Sequence, residues 1–266
     1  MTITGFAAAT LSSLIITLGL AARAANAQST APVEADPRLQ SMGDGWKLNQ
    51  AVVKDATLPR VLLIGDSILS GYQKFAVVEL KDEAYVDAWV QPHHQGILQG
   101  EATEWKAMVK DVIGKGPYDA ILFNMGLHGW PPGRIPEGQF KPLTKKLVDS
   151  LRAEAPNAKL VWLSTTPITE QDARPEFWKR GLDGPYALNK ELNPTIVEHN
   201  RLAAEVMQEA GVPVVDLYAT LLPHLTLAAG DMFHWAEPAY RRIAGEVAKA
   251  VRANLPTPEG SAAKKQ

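Results

Sequence analysis

Residues 62–72 read LLIGDSILSGY, and this stretch indicates both a fold and a reactive side chain. An apolar run stops at Gly65, which predicts a short buried strand. Asp66 and Ser67 come next, and the chain then takes on the apolar spacing of an amphipathic helix. Either side chain could simply cap that helix. Ser67 could also be a nucleophile, in which case the chain must supply a base elsewhere.

The chain after Pro59 alternates between short apolar runs and amphipathic stretches. The apolar runs predict five strands, at residues 60–65, 84–90, 118–124, 159–165 and 212–217. Continuously apolar strands that alternate with helices are typical of a parallel sheet covered on both faces. We therefore predict an α/β protein, a three-layer α/β/α sandwich with five parallel strands in the order 2-1-3-4-5. In that order the first and third strands end side by side, which places Ser67 near Asn124.

A longer irregular stretch, residues 166–192, interrupts this alternation, and it could face a substrate or be purely structural. After it, Asn193 is expected to cap a helix that has Pro194 in its first turn. Gly211 follows the last residue of that helical pattern, where glycine is favoured. The final helix is expected from Pro238 to about Leu255.

The two ends of the chain differ from the rest in composition. Residues 6–22 are apolar and small, and AANA at 24–27 has the form of a signal-peptidase site. We predict a signal peptide at 1–27, cleaved after Ala27, and a secreted or periplasmic protein. A retained anchor is the alternative, although the apolar stretch is short for a membrane span. A lead-in segment at 28–58, one domain at 59–255 and a disordered tail at 256–266 complete the predicted organisation.

Composition and missing motifs narrow the classes of function. The 266 residues include 27 Lys and Arg against 29 Asp and Glu, with no basic run that would suggest nucleic-acid binding. The chain has no cysteine, which excludes disulfides, thiolate metal sites and a cysteine nucleophile. No P-loop or dinucleotide-binding glycine motif follows a strand, and G-x-S-x-G is absent. We expect no cofactor and no stable membrane insertion after signal cleavage.

A base for Ser67 must be one of six histidines: His93, His94, His128, His199, His224 and His234. His234 lies in GDMFHWAEPAY, residues 230–240, three residues after Asp231. Within one turn that spacing brings both side chains to the same side, so Asp231 could orient the ring while its other nitrogen faces Ser67. A metal cluster of His93, His94, His128 and His234 is the competing interpretation. No H-x-H or H-E-x-x-H spacing supports it, and we expect no metal.

A GDS sequence after the first strand and D-x-x-H before the last helix resemble the SGNH, or GDSL-like, hydrolases. The resemblance covers the chain from about Arg60 to Leu255. It implies a flavodoxin-like sandwich that hydrolyses esters through a serine. It also implies that Ser67 is the nucleophile and that its backbone N–H is an oxyanion donor. His234 would be the base and Asp231 the acid that orients it.

Two further blocks of the family supply the other oxyanion donors. The second block implies a glycine N–H after the second strand, for which Gly96 is the first choice and Gly100 the reserve. The third block is usually G-x-N-D, and here FNMGLHGW occupies its place. Alignment on Gly126 makes His128 the donor, whereas alignment on the strand end makes it Asn124. We favour Asn124, because an amide donates a hydrogen bond without depending on protonation.

We therefore expect an exported serine esterase that acts on short acyl esters, most simply O-acetyl groups on a carbohydrate. Its ligand would be a small-molecule or glycan ester, and Trp130 and Trp235 are candidates to stack on a sugar ring. A lipase, a thioesterase or an O-acyltransferase of the same family remains an alternative. So does a glycan-binding module that has this fold but no turnover. The oligomeric state is not indicated.

Overall fold

The computed structural model describes residues 47–90, 104–124, 127, 135, 137–171 and 186–255, with backbone alone for 104 and 105. Its strands are β1 (Lys47–Asn49), β2 (Arg60–Gly65), β3 (Tyr85–Val90), β4 (Ala120–Phe123), β5 (Lys159–Leu163) and β6 (Val214–Val215). Its α-helices are α1 (Ser67–Glu79), α2 (Glu104–Ile113), α3 (Phe140–Glu154), α4 (Asn193–Ala210), α5 (Leu217–Leu221) and α6 (Glu237–Asn254). A 3₁₀ helix at Leu222–Leu227 follows α5.

The strands form one sheet in the order β1-β3-β2-β4-β5-β6. Strands β2 to β6 pair in parallel, and their order is the predicted 2-1-3-4-5. The predicted number of strands is wrong, because β1 adds an antiparallel edge beside β3. Lys47 pairs with Val90 and Asn49 with Ala88, within the segment predicted as a lead-in. β1 lies at the edge of the sheet and is only partly buried. Its KLN sequence therefore lacks the apolar run from which a buried strand is predicted.

The core lies on both faces of the sheet, which confirms the three-layer architecture. Along β2, Val61 and Leu63 pack in the cluster that contains the apolar side chains of α1 and α6. Leu62 and Ile64 pack in the cluster formed with α2, α3 and α4 on the opposite face. None of the helices in the described part of the chain combines the length and apolar character that a membrane span requires.

Helix α4 ends as predicted and begins differently. Gly211 takes the left-handed conformation at the C-terminus, with φ of 62°. Asn193 was expected to cap the helix but is its first residue, and its side chain makes no cap hydrogen bond. Its Oδ1 accepts from the N–H of Ile168 at 3.0 Å, and its amide donates to the hydroxyl of Tyr218 at 2.7 Å. Asn193 therefore holds the connection after β5 in place.

Strand β6 is shorter than the predicted 212–217. It ends at Val215 because Asp216 caps the short helix α5, where its Oδ1 accepts from the N–H of Ala219 at 2.9 Å. The same oxygen accepts from the hydroxyl of Ser164, also at 2.9 Å, just beyond β5. These hydrogen bonds link the ends of β5 and β6 and turn the chain out of the sheet.

A buried ion pair stabilises the sheet near the amino end of β2. The guanidinium of Arg60 donates to Asp87 Oδ2 at 2.5 Å, and the side chain of Asp87 is 0% exposed. The hydroxyl of Tyr118 donates to the same oxygen at 2.8 Å, and the N–H of Ala51 donates to Oδ1 at 2.9 Å. The buried carboxylate is therefore fully hydrogen-bonded, as a charge in a protein interior must be.

Candidate active site

Ser67 lies at the carboxyl edge of the sheet, where β2 turns directly into α1. A Cβ atom at Gly65 would lie only 2.8 Å from Leu69 Cβ, so this tight turn requires glycine. Asp66 caps α1, because its Oδ1 accepts from the N–H of Ile68 at 2.8 Å. Ser67 is the first helical residue and sits at the positive end of the helix dipole.

The second part of the site is the turn from Asp231 to His234, between the 3₁₀ helix and α6. Asp231 Oδ1 accepts from the backbone N–H groups of Phe233 at 3.1 Å and His234 at 2.8 Å. Its Oδ2 is 2.5 Å from His234 Nδ1. Met232 has a φ of 80°, and its carbonyl accepts from the N–H of Thr169 at 3.0 Å. The segment after β5 thus holds a turn in a conformation that non-glycine residues rarely adopt.

The two parts of the site meet at His234, whose Nε2 is 2.9 Å from Ser67 Oγ. Their alignment depends on the packing of α1 against α6. An ideal Cβ at Gly71 would lie 2.2 Å from Tyr240 Cζ, so the ring of Tyr240 occupies the space that a side chain at position 71 would take. The structure therefore brings together the predicted residues Ser67, Asp231 and His234.

The hydrogen bond between His234 and Asp231 controls the charge of both groups. It raises the pKa of His234 above its ordinary value, against the opposing effect of burial. Burial acts to raise the pKa of Asp231, but hydrogen bonds from the ring and backbone of His234 outweigh it and lower that pKa to about 2. Asp231 is ionised at neutral pH and favours the proton on Nδ1. The unprotonated Nε2 of a neutral ring then faces the hydroxyl of Ser67.

Trp235 does not have the exposure that a sugar-stacking residue needs, and that prediction is wrong. The residue is 3% exposed and belongs to the core cluster on the α1 and α6 face of the sheet. An antiparallel bridge pairs Trp235 with Ala228, which belongs to the same core cluster. The backbone N–H of Trp235 also lies 3.4 Å from the hydroxyl of Tyr240.

Asn124 follows the last residue of β4, and its side chain points towards the end of β5. The amide nitrogen donates to the carbonyl of Leu163 at 2.6 Å and to Thr165 Oγ1 at 3.2 Å. These two acceptors occupy the two amide hydrogens, so this geometry does not favour Asn124 as an oxyanion donor. Several other predicted residues lie outside the described residues: Gly96, Gly100, Gly126, His128, Trp130, His93 and His94.

The sequence matches no protein-family model and no curated protein. Solved structures do match its fold. A carbohydrate acetylesterase family member from Sinorhizobium meliloti is 17% identical, with a TM-score of 0.57 over 74% of this chain and 99% of that one. The native aryl esterase of M. smegmatis is 15% identical, with a TM-score of 0.57 over 74% and 100%. A lipase/acylhydrolase from Enterococcus faecalis is 16% identical, with a TM-score of 0.56 over 75% of this chain and 98% of that one.

The chain has the SGNH-hydrolase fold. Within this SGNH fold, Ser67 lies after the first parallel strand and His234 just before the last helix. The fold brings them to one edge of the sheet, although they are 167 residues apart in the chain.

Three residues that support this candidate site were not identified from the sequence: Gly71, Tyr240 and Thr169. Gly71 offered a signal, because a glycine inside a helical pattern often marks a close approach by another element. Tyr240 and Thr169 offered none, since each acts through a contact with a distant segment. Only the folded structure shows which segment that is.

We expect Gly71→Ala to lower both stability and activity. The added methyl group must displace the ring of Tyr240, which would change the spacing between α1 and α6. The free energy of unfolding should fall by about 1–3 kcal/mol, as for other overpacked sites. Hydrolysis should fall by about 10–100-fold, because small displacements of reacting groups strongly slow acyl transfer. Chemical denaturation and initial rates measure the two effects.

Gly245→Ala is the matched control, since Gly245 lies within α6 and a Cβ there meets no atom within 4 Å. It should stabilise the protein by up to about 1 kcal/mol through helix propensity and leave the rate unchanged. Equal behaviour of the two alanine variants would show that the contact between Gly71 and Tyr240 does not position the site.

Proposed function

We propose that this protein is a serine ester hydrolase that removes short acyl groups, in particular O-acetyl groups, from a carbohydrate. The observation that carries the proposal is the pair of contacts at His234, 2.9 Å to Ser67 and 2.5 Å to Asp231. A hydroxyl, a base and a carboxylate in this arrangement suit acyl transfer. The acetylesterase and the aryl esterase that share the fold support the same reaction class.

Acylation begins when Ser67 Oγ attacks the ester carbonyl carbon and passes its proton to His234 Nε2. Asp231 stabilises the imidazolium that results. Negative charge develops on the carbonyl oxygen. We propose that the backbone N–H of Ser67, at the start of α1, donates a hydrogen bond to this oxygen. Gly96 and His128 are proposed to complete the oxyanion hole, in which one donor contributes about 3 kcal/mol. His234 then protonates the leaving alcohol as its bond to the acyl carbon breaks.

Deacylation repeats these proton transfers with water as the nucleophile. The water molecule gives a proton to His234 as its oxygen attacks the acyl carbon of the ester on Ser67. His234 returns the proton to Ser67 Oγ as the acyl–oxygen bond breaks and the carboxylic acid leaves. No cofactor takes part in these steps.

We propose that the protein acts outside the cytoplasm after cleavage behind Ala27, a proposal that rests on the sequence of residues 1–27. A carbohydrate ester is favoured because one protein of the same fold is described as a carbohydrate acetylesterase. With Trp235 buried, Trp130 is the aromatic residue that we propose to contact a sugar ring. The acyl group is proposed to be acetyl.

Hydrolysis of p-nitrophenyl esters from acetate to octanoate tests this function, together with release of acetate from acetylated polysaccharides. We expect the highest kcat/KM with acetate and a steep fall with chain length. A fluorophosphonate should also label the peptide that contains Ser67, as mass spectrometry would show. Preference for octanoate would instead indicate a lipase. A folded protein with neither turnover nor label would contradict the proposal and favour a binding module.

A further inference from the structure

Asp66 is buried beneath the turn that carries Ser67, with only 2% of the residue exposed. Its Oδ1 caps α1, but its Oδ2 is buried without a hydrogen-bond partner in the described part of the chain. The residue lines a cavity of about 20 Å³ between α1 and the ends of β4 and β5. Polar residues on the other side of this cavity are Asn124, Ser164, Thr165 and Thr166.

Helix capping alone does not explain a carboxylate at this position. A cap needs one acceptor oxygen, which Asn or Ser supplies as well as Asp. The negative charge of Asp66 adds a large penalty, because a buried ion loses its hydration. Burial accordingly raises the pKa of Asp66 to about 6. The cavity has room for one water molecule, which could solvate Oδ2 without neutralising its charge.

Among the described residues, protonated His234 is a positive group close to Asp66, because its Nε2 lies 2.9 Å from Oγ of Ser67, the next residue in the chain. His234 thus interacts with two carboxylates, directly with Asp231 and through space with Asp66. In the part of the chain that the structure describes, two tyrosines also lie within the electrostatic influence of Asp66, Tyr72 from α1 and Tyr240 from α6. Both stay neutral near pH ~7, since burial raises the pKa of Tyr72 far above its ordinary value and that of Tyr240 to about 12.

We propose that Asp66 is a second carboxylate of the active site, a positioning residue whose buried charge stabilises protonated His234 from the side of the Ser67 turn. This inference deepens the proposed function and rests on it. His234 becomes positive when it takes the proton of Ser67, so a fixed negative charge nearby stabilises the tetrahedral intermediate. Asp66 exchanges no proton with the substrate and acts through its field, which burial keeps from being screened by water.

Asp66→Asn separates the charge from the cap, because asparagine caps helices as well as aspartate and has nearly the same shape. Asp216→Asn is the matched control, since Asp216 also caps a helix but is exposed, and an asparagine Oδ1 can keep the hydrogen bonds that Asp216 accepts from Ser164 and Ala219. The imidazole of His234 is titrated by NMR in each protein, and His234→Gln identifies its signal. The pH profile of kcat/KM with p-nitrophenyl acetate is measured on the same samples.

In Asp66→Asn we expect the pKa of His234 to fall, because the charge that favours the imidazolium is gone. The acidic limb of kcat/KM should move to lower pH with it. Near neutral pH kcat should fall about three- to tenfold with little change in KM. Asp216→Asn should change none of these quantities. If Asp66→Asn does not fold, Asp66→Ser makes the same comparison.

An unchanged His234 titration in folded Asp66→Asn would overturn the inference and leave Asp66 as a cap. The NMR measurement does not depend on turnover. If the parent protein failed to hydrolyse esters, the proposed function would be wrong, while a shifted His234 pKa would still establish the influence of Asp66.

Discussion

Replacing Ser67 by alanine should lower kcat for ester hydrolysis by about 10⁴-fold or more. The reason is that Ser67 Oγ, 2.9 Å from His234 Nε2, is the nucleophile of the proposed mechanism. Folding should be unaffected, because the side chain of Asp66, not that of Ser67, caps α1. Initial rates with p-nitrophenyl acetate, measured beside thermal unfolding, test the two statements together.

Ser70→Ala is the matched control for this substitution. Ser70 lies in the same helix, one turn after Asp66, and is exposed. Its replacement should leave both rate and stability unchanged within about 0.5 kcal/mol. A Ser67→Ala protein that kept a tenth or more of the parent kcat would show that another group attacks the ester.

Asp231→Asn should lower kcat by about 10⁴-fold while the protein still folds. An asparagine amide can donate to His234 Nδ1, which would leave the proton on Nε2. A protonated Nε2 donates to Ser67 and cannot accept its proton. The loss should therefore appear in kcat, measured with saturating p-nitrophenyl acetate. Asp149→Asn, an exposed substitution on α3, is the control and should leave kcat unchanged.

The pH profile of Asp231→Asn adds a second test of the same residue. The hydrogen bond that His234 donates to Asp231 raises the pKa of His234, so we expect the parent protein to lose activity as the pH falls through that raised value. Without the carboxylate the pKa of His234 should fall, and the residual activity should persist to lower pH. An acidic limb that stayed in place would mean that a group other than His234 controls it.

The parallel sheet could be predicted from the sequence because its strands are buried on both faces and therefore uniformly apolar. Residues 61–64 of β2, for example, are all buried. Strand β1 could not be predicted from the sequence, because its residues KLN lie at an exposed edge of the sheet and are not uniformly apolar. Strand β6 was predicted too long, because the hydrogen bonds of Asp216 end it and such a cap cannot be separated from a strand residue by hydropathy alone.

The proximity of Ser67, Asp231 and His234 could be predicted for a different reason. Ser67 follows a strand end directly, and Asp231 with His234 forms a local turn, so short-range spacing contains the information. Tertiary contacts decide the residues that were mispredicted or missed. Trp235 packs in the core cluster that contains side chains of α1 and α6, and the ring of Tyr240 makes glycine necessary in α1.

Ser67 and His234 are 167 residues apart in the sequence, and this separation affects when the site can form during protein synthesis. In the proposed mechanism, Ser67 lacks its base until the ribosome has released the segment that contains His234. Shorter nascent chains would then be inactive, however much of the sheet has already formed. Enzyme activity would therefore report only chains that extend past His234, and its recovery during refolding would time the docking of the turn that carries His234.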